Sequence, residues 1–261
     1  MGTISPKALV RSFPMHSRPI LSIAAVLSLL ARLGLNATIL PVTNSSFESQ
    51  SVPPGFVVLS IPTGWSAYNP ANLNGLSDAV GLLNPTGTAH FPGGAAEGSN
   101  VALVFLDGPA TGEAGLQQML APVLESNLRY TLSVEIGNIA SGTANFGFFN
   151  LAGFPGYRVD LLAGSTVVAS DSNSLSGGIP EGEFRTSQVS LMVGPDHPAL
   201  GESLGIRLVN LNLAGLPGAP GVEVNFDDVR LTAVAVPEPA NLGSIIAAGL
   251  ALVAWGGRLK R

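Results

Sequence analysis

The chain of 261 residues has no cysteine, so neither a disulfide framework nor a thiolate metal site is available to it. Aromatic residues make up only 6% of the sequence, so rings able to form a flat ligand platform are few. Between Thr38 and Ala235 there is no lysine, and five arginines stand against 16 acids. A surface of that sign repels phosphate backbones, which excludes nucleic acid as a partner. A long amphipathic helix is missing as well. Glycine and proline are plentiful, at 32 and 20 residues, and they cut the middle of the chain into short runs of Val, Leu, Phe and Thr.

These runs read as strands. Tyr130, Leu132, Val134 and Ile136 alternate with Thr131, Ser133 and Glu135, the period of a strand buried on one side. Tyr157–Leu162 and Thr166–Ala169 flank Ala163-Gly164-Ser165, the signature of a hairpin. Further strands are expected at Val101–Leu106, Ser187–Val193, Leu204–Asn210 and Val222–Ala233. Glu113–Ser126 has apolar residues at helical spacing, but Pro122 interrupts it. A strand over Gly115–Leu120, pairing with the Tyr130 strand, is the expectation there. Together these segments predict an all-β fold, a jelly-roll β-sandwich over residues 38–235.

The two ends differ from this body. Arg18 precedes an apolar stretch from Pro19 to Ala31, and Leu35-Asn36-Ala37 offers a small residue before Thr38, the pattern of a signal peptide over residues 1–37. Met15 is the expected start within it. At the other end stand Val236-Pro237-Glu238-Pro239, an apolar run from Leu242 to Trp255, and the basic residues Arg258, Lys260 and Arg261. The two prolines stop helix from running back through Glu238. The run predicts a short transmembrane helix whose basic end reaches headgroups.

The order of those three elements over residues 236–261 resembles the PEP-CTERM sorting signal of bacterial exosortase substrates. The resemblance implies recognition at Val236, Pro237, Glu238 and Pro239 by an exosortase-type sorting enzyme. It also implies export, anchoring in the inner membrane before processing, then delivery to the cell surface or extracellular matrix. In the body, Asn44-Ser-Ser-Phe-Glu48, Pro62-Thr-Gly-Trp65, Gly115-Leu-Gln-Gln118, Tyr130-Thr-Leu-Ser-Val134, Tyr157-Arg-Val-Asp-Leu161 and Asn225-Phe-Asp-Asp-Val-Arg-Leu231 follow one another in an order similar to the galactose-binding-like jelly roll of carbohydrate-binding modules. That resemblance implies a structural calcium with Glu48 and Asp227 as carboxylate ligands, completed by carbonyl oxygens.

Trp65 and Tyr68 are the one close Trp/Tyr pair, with Asn69, Asn72 and Asn74 nearby, and form the candidate sugar platform; core packing is the competing reading of Trp65. Catalysis has little to rest on. Gly201-Glu-Ser203-Leu-Gly205 matches the nucleophile-elbow pattern but leads into a strand, and no histidine follows it. His90 and His197 are isolated beside prolines, and Glu181 and Glu183 lie in a glycine-rich loop. The sequence therefore predicts an exported, non-catalytic surface or matrix protein, or alternatively a carbohydrate-binding module for exopolysaccharide.

Overall fold

The computed structural model describes residues 36–70, 72, 80–106, 112–144, 147–213 and 223–236. The expected signal helix, the Met15 start, Pro237, Glu238, Pro239 and the apolar C-terminal run lie outside the described residues. Val236 closes the described part, its N–H bonded to the Asn127 carbonyl at 2.8 Å. Among the described residues no helix is long and apolar enough to cross a membrane.

Alternating side chains place fourteen strands among the described residues. They are β1 (Thr38–Leu40), β2 (Val57–Val58), β3 (Ser66–Tyr68), β4 (Val80–Leu83), β5 (Val101–Phe105), β6 (Ala114–Val123) and β7 (Leu128–Asn138). Then follow β8 (Gly142–Ala144), β9 (Gly147–Phe149), β10 (Tyr157–Ala163), β11 (Thr166–Ser172), β12 (Glu183–Val193), β13 (Ser203–Asn210) and β14 (Glu223–Ala235). One sheet runs β12-β7-β14-β5-β4-β2, with β1 added along β14; a second runs β11-β10-β13-β6-β3; β8 and β9 form a separate hairpin. All pairings are antiparallel.

The core lies between the two large sheets, as in a β-sandwich. Tyr130, Leu132, Val134 and Ile136 of β7 face Tyr157, Val159 and Leu161 of β10 and Leu204, Ile206 and Leu208 of β13 within one buried cluster. The hairpin expected at Ala163-Gly164-Ser165 forms, with Gly164 at φ +57°. The strand expected within Glu113–Ser126 also forms, but its pairing is corrected. β6 joins β13 and β3, whereas β7 lies in the opposite sheet. Between them the chain crosses a corner of the sandwich. Asn127 takes φ +58°, and the Glu125 N–H is received by the Tyr130 hydroxyl at 2.9 Å.

β14 determines what lies outside the core. Val224 and Phe226 face inward, and so do Val229, Leu231 and Ala233, so the inward register changes from even to odd. The change occurs at the irregularity between Asp227 and Arg230, where Asp228 has φ +46°. Before it, β5 lies along β14; after it, β1 takes that edge. Glu223, Asn225 and Asp227 are thereby turned to the outer face of the seven-stranded sheet. That face is also covered, by a second apolar cluster of Leu83, Phe91, Val101, Leu103 and Ile139.

The cover needs a glycine near the end of β7. A Cβ on Gly137 would sit 2.6 Å from the Phe184 ring and 3.0 Å from the Asn225 Cβ. Phe184 in turn stacks on Phe91 at 4.5 Å. Gly137→Ala is expected to destabilise the protein by roughly 1–3 kcal/mol, measured by urea unfolding, because packed rings cannot yield without leaving their rotamers. An unchanged unfolding midpoint would show that the outer layer is loose.

Candidate functional site

On the outer face lies a cavity of about 330 Å³. Its floor is Leu83 of β4, Leu103 and Phe105 of β5 and Glu223 of β14. Gly55, Val57 and Leu59 form one side; Ile139, Phe149 and Leu151 form the other, and His90 comes from the loop between β4 and β5. Small-molecule sites have this size and this composition, mostly apolar with a few placed polar groups.

Glu223 opens β14 opposite Phe105. It is 7% exposed, and among the described residues no arginine is paired with it. Its Oε1 accepts a hydrogen bond from Asn225 Nδ2 at 2.9 Å. Burial pushes its pKa up to about 7, against the smaller lowering by the Asn225 bond. Burial thus favours the protonated form of Glu223. The same shift couples to stability: the contribution is full below the unfolded value near 4.5 and is lost as pH rises through about 7. His90 is buried too, its Nδ1 lying 2.8 Å from the Ala140 carbonyl and its ring meeting Phe149 edge-on at 6.4 Å.

The residues expected to bind sugar are elsewhere. Trp65 is 7% exposed, lies 5.5 Å from the Phe47 ring and donates through Nε1 to the Asn44 carbonyl at 3.3 Å. Both faces of its indole serve the core. The Tyr68 hydroxyl donates to Glu113 Oε1 at 2.9 Å, and the Arg207 guanidinium covers its ring at 4.0 Å. Neither lines the cavity.

Glu48 and Asp227 do converge, on the loop 97–100. Glu48 Oε1 accepts the N–H groups of Ser99 and Asn100 at 2.7 and 2.6 Å. Asp227 accepts those of Glu97 and Asp228 at 2.8 and 2.7 Å. Asp227 is fully buried, and burial pushes its pKa up to about 8 despite those two bonds. Nearby, Asn100 Oδ1 is buried without a partner. Among the described residues no group of three or more Asp, Glu or His is placed to hold a metal. A hard cation would therefore have to draw on oxygens beyond these two carboxylates, and the unpartnered Asn100 Oδ1 is one that fits such an ion.

The cavity residues were hidden in the sequence for different reasons. His90 looked isolated beside a proline, and the β8–β9 segment folded beside it makes it a cavity residue. Glu223 did have a signal, since Glu223, Asn225 and Asp227 alternate with Val224 and Phe226. A strand with a core face and three polar residues opposite reads as half exposed, unless a second layer covers it. Ser203 merely begins β13 after a turn at Gly201, as its lead into a strand implied.

A β-sandwich bearing an apolar cavity with one buried carboxyl suits a small molecule better than a lectin-like module does. The comparisons agree. The family model described as HpiC1 cyclase, HpiC1-like, matches residues 38–232, and the chain belongs to that family. A cyclase from Fischerella sp. TAU is similar at 40% identity, with TM-score 0.67, over 78% of this chain and 100% of that one. The Stig cyclase Fisc from the same organism, solved with (3Z)-3-(1-methyl-2-pyrrolidinylidene)-3H-indole, is 39% identical over 77% and 100%, with TM-score 0.66. A Fischerella sp. TAU cyclase solved with 4-(1H-indol-3-yl)butan-2-one gives 39% identity over 77% and 100%, with TM-score 0.65. No curated protein matches.

These matches correct the functional expectations. The body belongs to a cyclase family, which overturns the non-catalytic matrix protein, the PEP-CTERM assignment and the carbohydrate-binding alternative. The exosortase and exopolysaccharide partners fall with them, because the relatives hold small indole compounds. The shared strand motifs that carried the carbohydrate-module resemblance describe a sandwich, and a sandwich hosts many chemistries.

Proposed function

We propose that the chain is a cyclase that binds a neutral indole compound in the Glu223 cavity and starts ring closure by protonation. The observation that carries this reading is the buried Glu223 carboxyl among apolar walls, with no arginine partner among the described residues and its pKa pushed up to about 7 by burial. Such a group is a general acid poised at neutral pH. Protonating an electron-rich unsaturated carbon creates a carbocation, and an internal π bond of the same substrate can capture it. The new ring then loses a proton, which restores Glu223, so the overall change is an isomerisation. The apolar walls keep water from trapping the cation, and Phe105 and Phe149 offer ring faces that attract it. The indole compounds held by the Fischerella cyclases support this substrate class.

Glu223→Gln keeps the shape and removes the transferable proton. It is expected to lower turnover of an indole bearing an unsaturated side chain by 10²-fold or more, by analogy with other acid–base residues, while the protein still folds. Product formation by mass spectrometry reads this. In the unmutated protein the rate should fall as pH rises through about 7, as the carboxyl ionises. Full activity in the Gln variant would end the proposal.

The reading includes a structural calcium at the loop 97–100, supported by Glu48, Asp227 and the unpaired Asn100 Oδ1. Calcium there would hold Asp227 ionised and fasten the loop from which the cavity wall continues to β5. Saturating calcium should raise the melting temperature and a chelator should lower it, with Asp227→Asn abolishing both responses. Identical melting curves in calcium and chelator would remove the ion from the account. Export also belongs to the proposal, on the strength of the apolar segment after Arg18 and the absence of cysteine. Recovery of the native protein only from cytosol would exclude it.

A further inference from the structure

We infer that His90 is the residue that receives the substrate's ring N–H, a positioning residue in the same cavity as the Glu223 carboxyl. The inference rests on the cyclase reading of this cavity and names how the substrate is held in it. Among the described lining residues, only Glu223 and His90 have polar side chains. The Ala140 carbonyl can only accept, so at 2.8 Å the His90 Nδ1 carries the hydrogen. In the neutral ring the lone pair is therefore on Nε2. Nε2 has no hydrogen-bond partner among the described residues.

The ring is also held in place. Gly142 packs beside it: a Cβ there would lie 2.8 Å from the Ala89 Cβ and 3.5 Å from His90 Cε1 and Nδ1. Phe149 closes against its edge. Rotation that exchanged the two nitrogens would break the Ala140 bond. The cavity thus presents two polar side chains, the Glu223 carboxyl and the His90 imidazole, on otherwise apolar walls. A neutral heteroaromatic that has a single ring N–H and a protonatable carbon fits that pairing. Placing the N–H against the apolar walls instead would leave it unpaired.

The test compares two probes of equal shape: 4-(1H-indol-3-yl)butan-2-one and its benzofuran counterpart, in which oxygen replaces the N–H. Calorimetry on the unmutated protein should give about 10-fold tighter binding of the indole, the factor expected of one hydrogen bond. In His90→Phe the preference should collapse to near unity. In Glu223→Gln it should persist although turnover is lost. An indole preference that survives in His90→Phe overturns the inference and leaves the cyclase reading standing. If neither probe binds the unmutated protein, the cyclase reading fails and carries this inference with it. Should His90→Phe not fold, nitrogen NMR of the unmutated protein decides. The His90 Nε2 resonance should move on adding the indole and stay with the benzofuran; movement with neither, or equally with both, overturns the assignment.

Discussion

A single irregularity in β14 organises this molecule. Without the shift between Asp227 and Arg230, one half of a 13-residue strand would turn its apolar side away from the sandwich. With it, Val224, Phe226, Val229, Leu231 and Ala233 all enter the core. The same geometry places Glu223 and Asn225 on the opposite face, and Asp227 where the chain leaves regular pairing. Core and cavity are two sides of one strand.

The outer face differs from an ordinary solvated sheet because it has its own cover. The loop between β4 and β5 brings Phe91 and His90; the segment after β7 brings Ile139, Phe149 and Leu151. Apolar residues at Leu83, Val101 and Leu103 give that cover something to bury against. Enclosure removes water from Glu223, and the Asn225 amide gives it one hydrogen bond in place of a counter-charge. A carboxyl so placed keeps its proton near neutrality, which is the property acid catalysis requires.

Much of the fold was legible from alternation and turn chemistry. β5, β7, β10, β11, β12, β13 and β14 lie where Val, Leu, Tyr and Ile alternate between glycines. The partner of β6 was not, because neighbours in sequence fall in opposite sheets when a corner such as Asn127 intervenes. The functional site was the least legible part. Trp65 drew attention as a rare aromatic, yet its ring packs on Phe47; Tyr68 lies beneath Arg207. Glu48 and Asp227 were brought to one loop by the closeness of the first and last parts of the sandwich.

By itself the sequence determined a cysteine-free, acidic β-protein with one substantial body between two dissimilar ends, because composition and two-residue periodicity act locally and need no partner to be read. Only the tertiary structure decided that Glu223 is buried at the floor of an apolar cavity that His90 also lines. Burial, and the pKa it produces, depends on side chains far away in the chain. No local pattern around residue 90 or residue 223 encodes which distant loops will shut out the water.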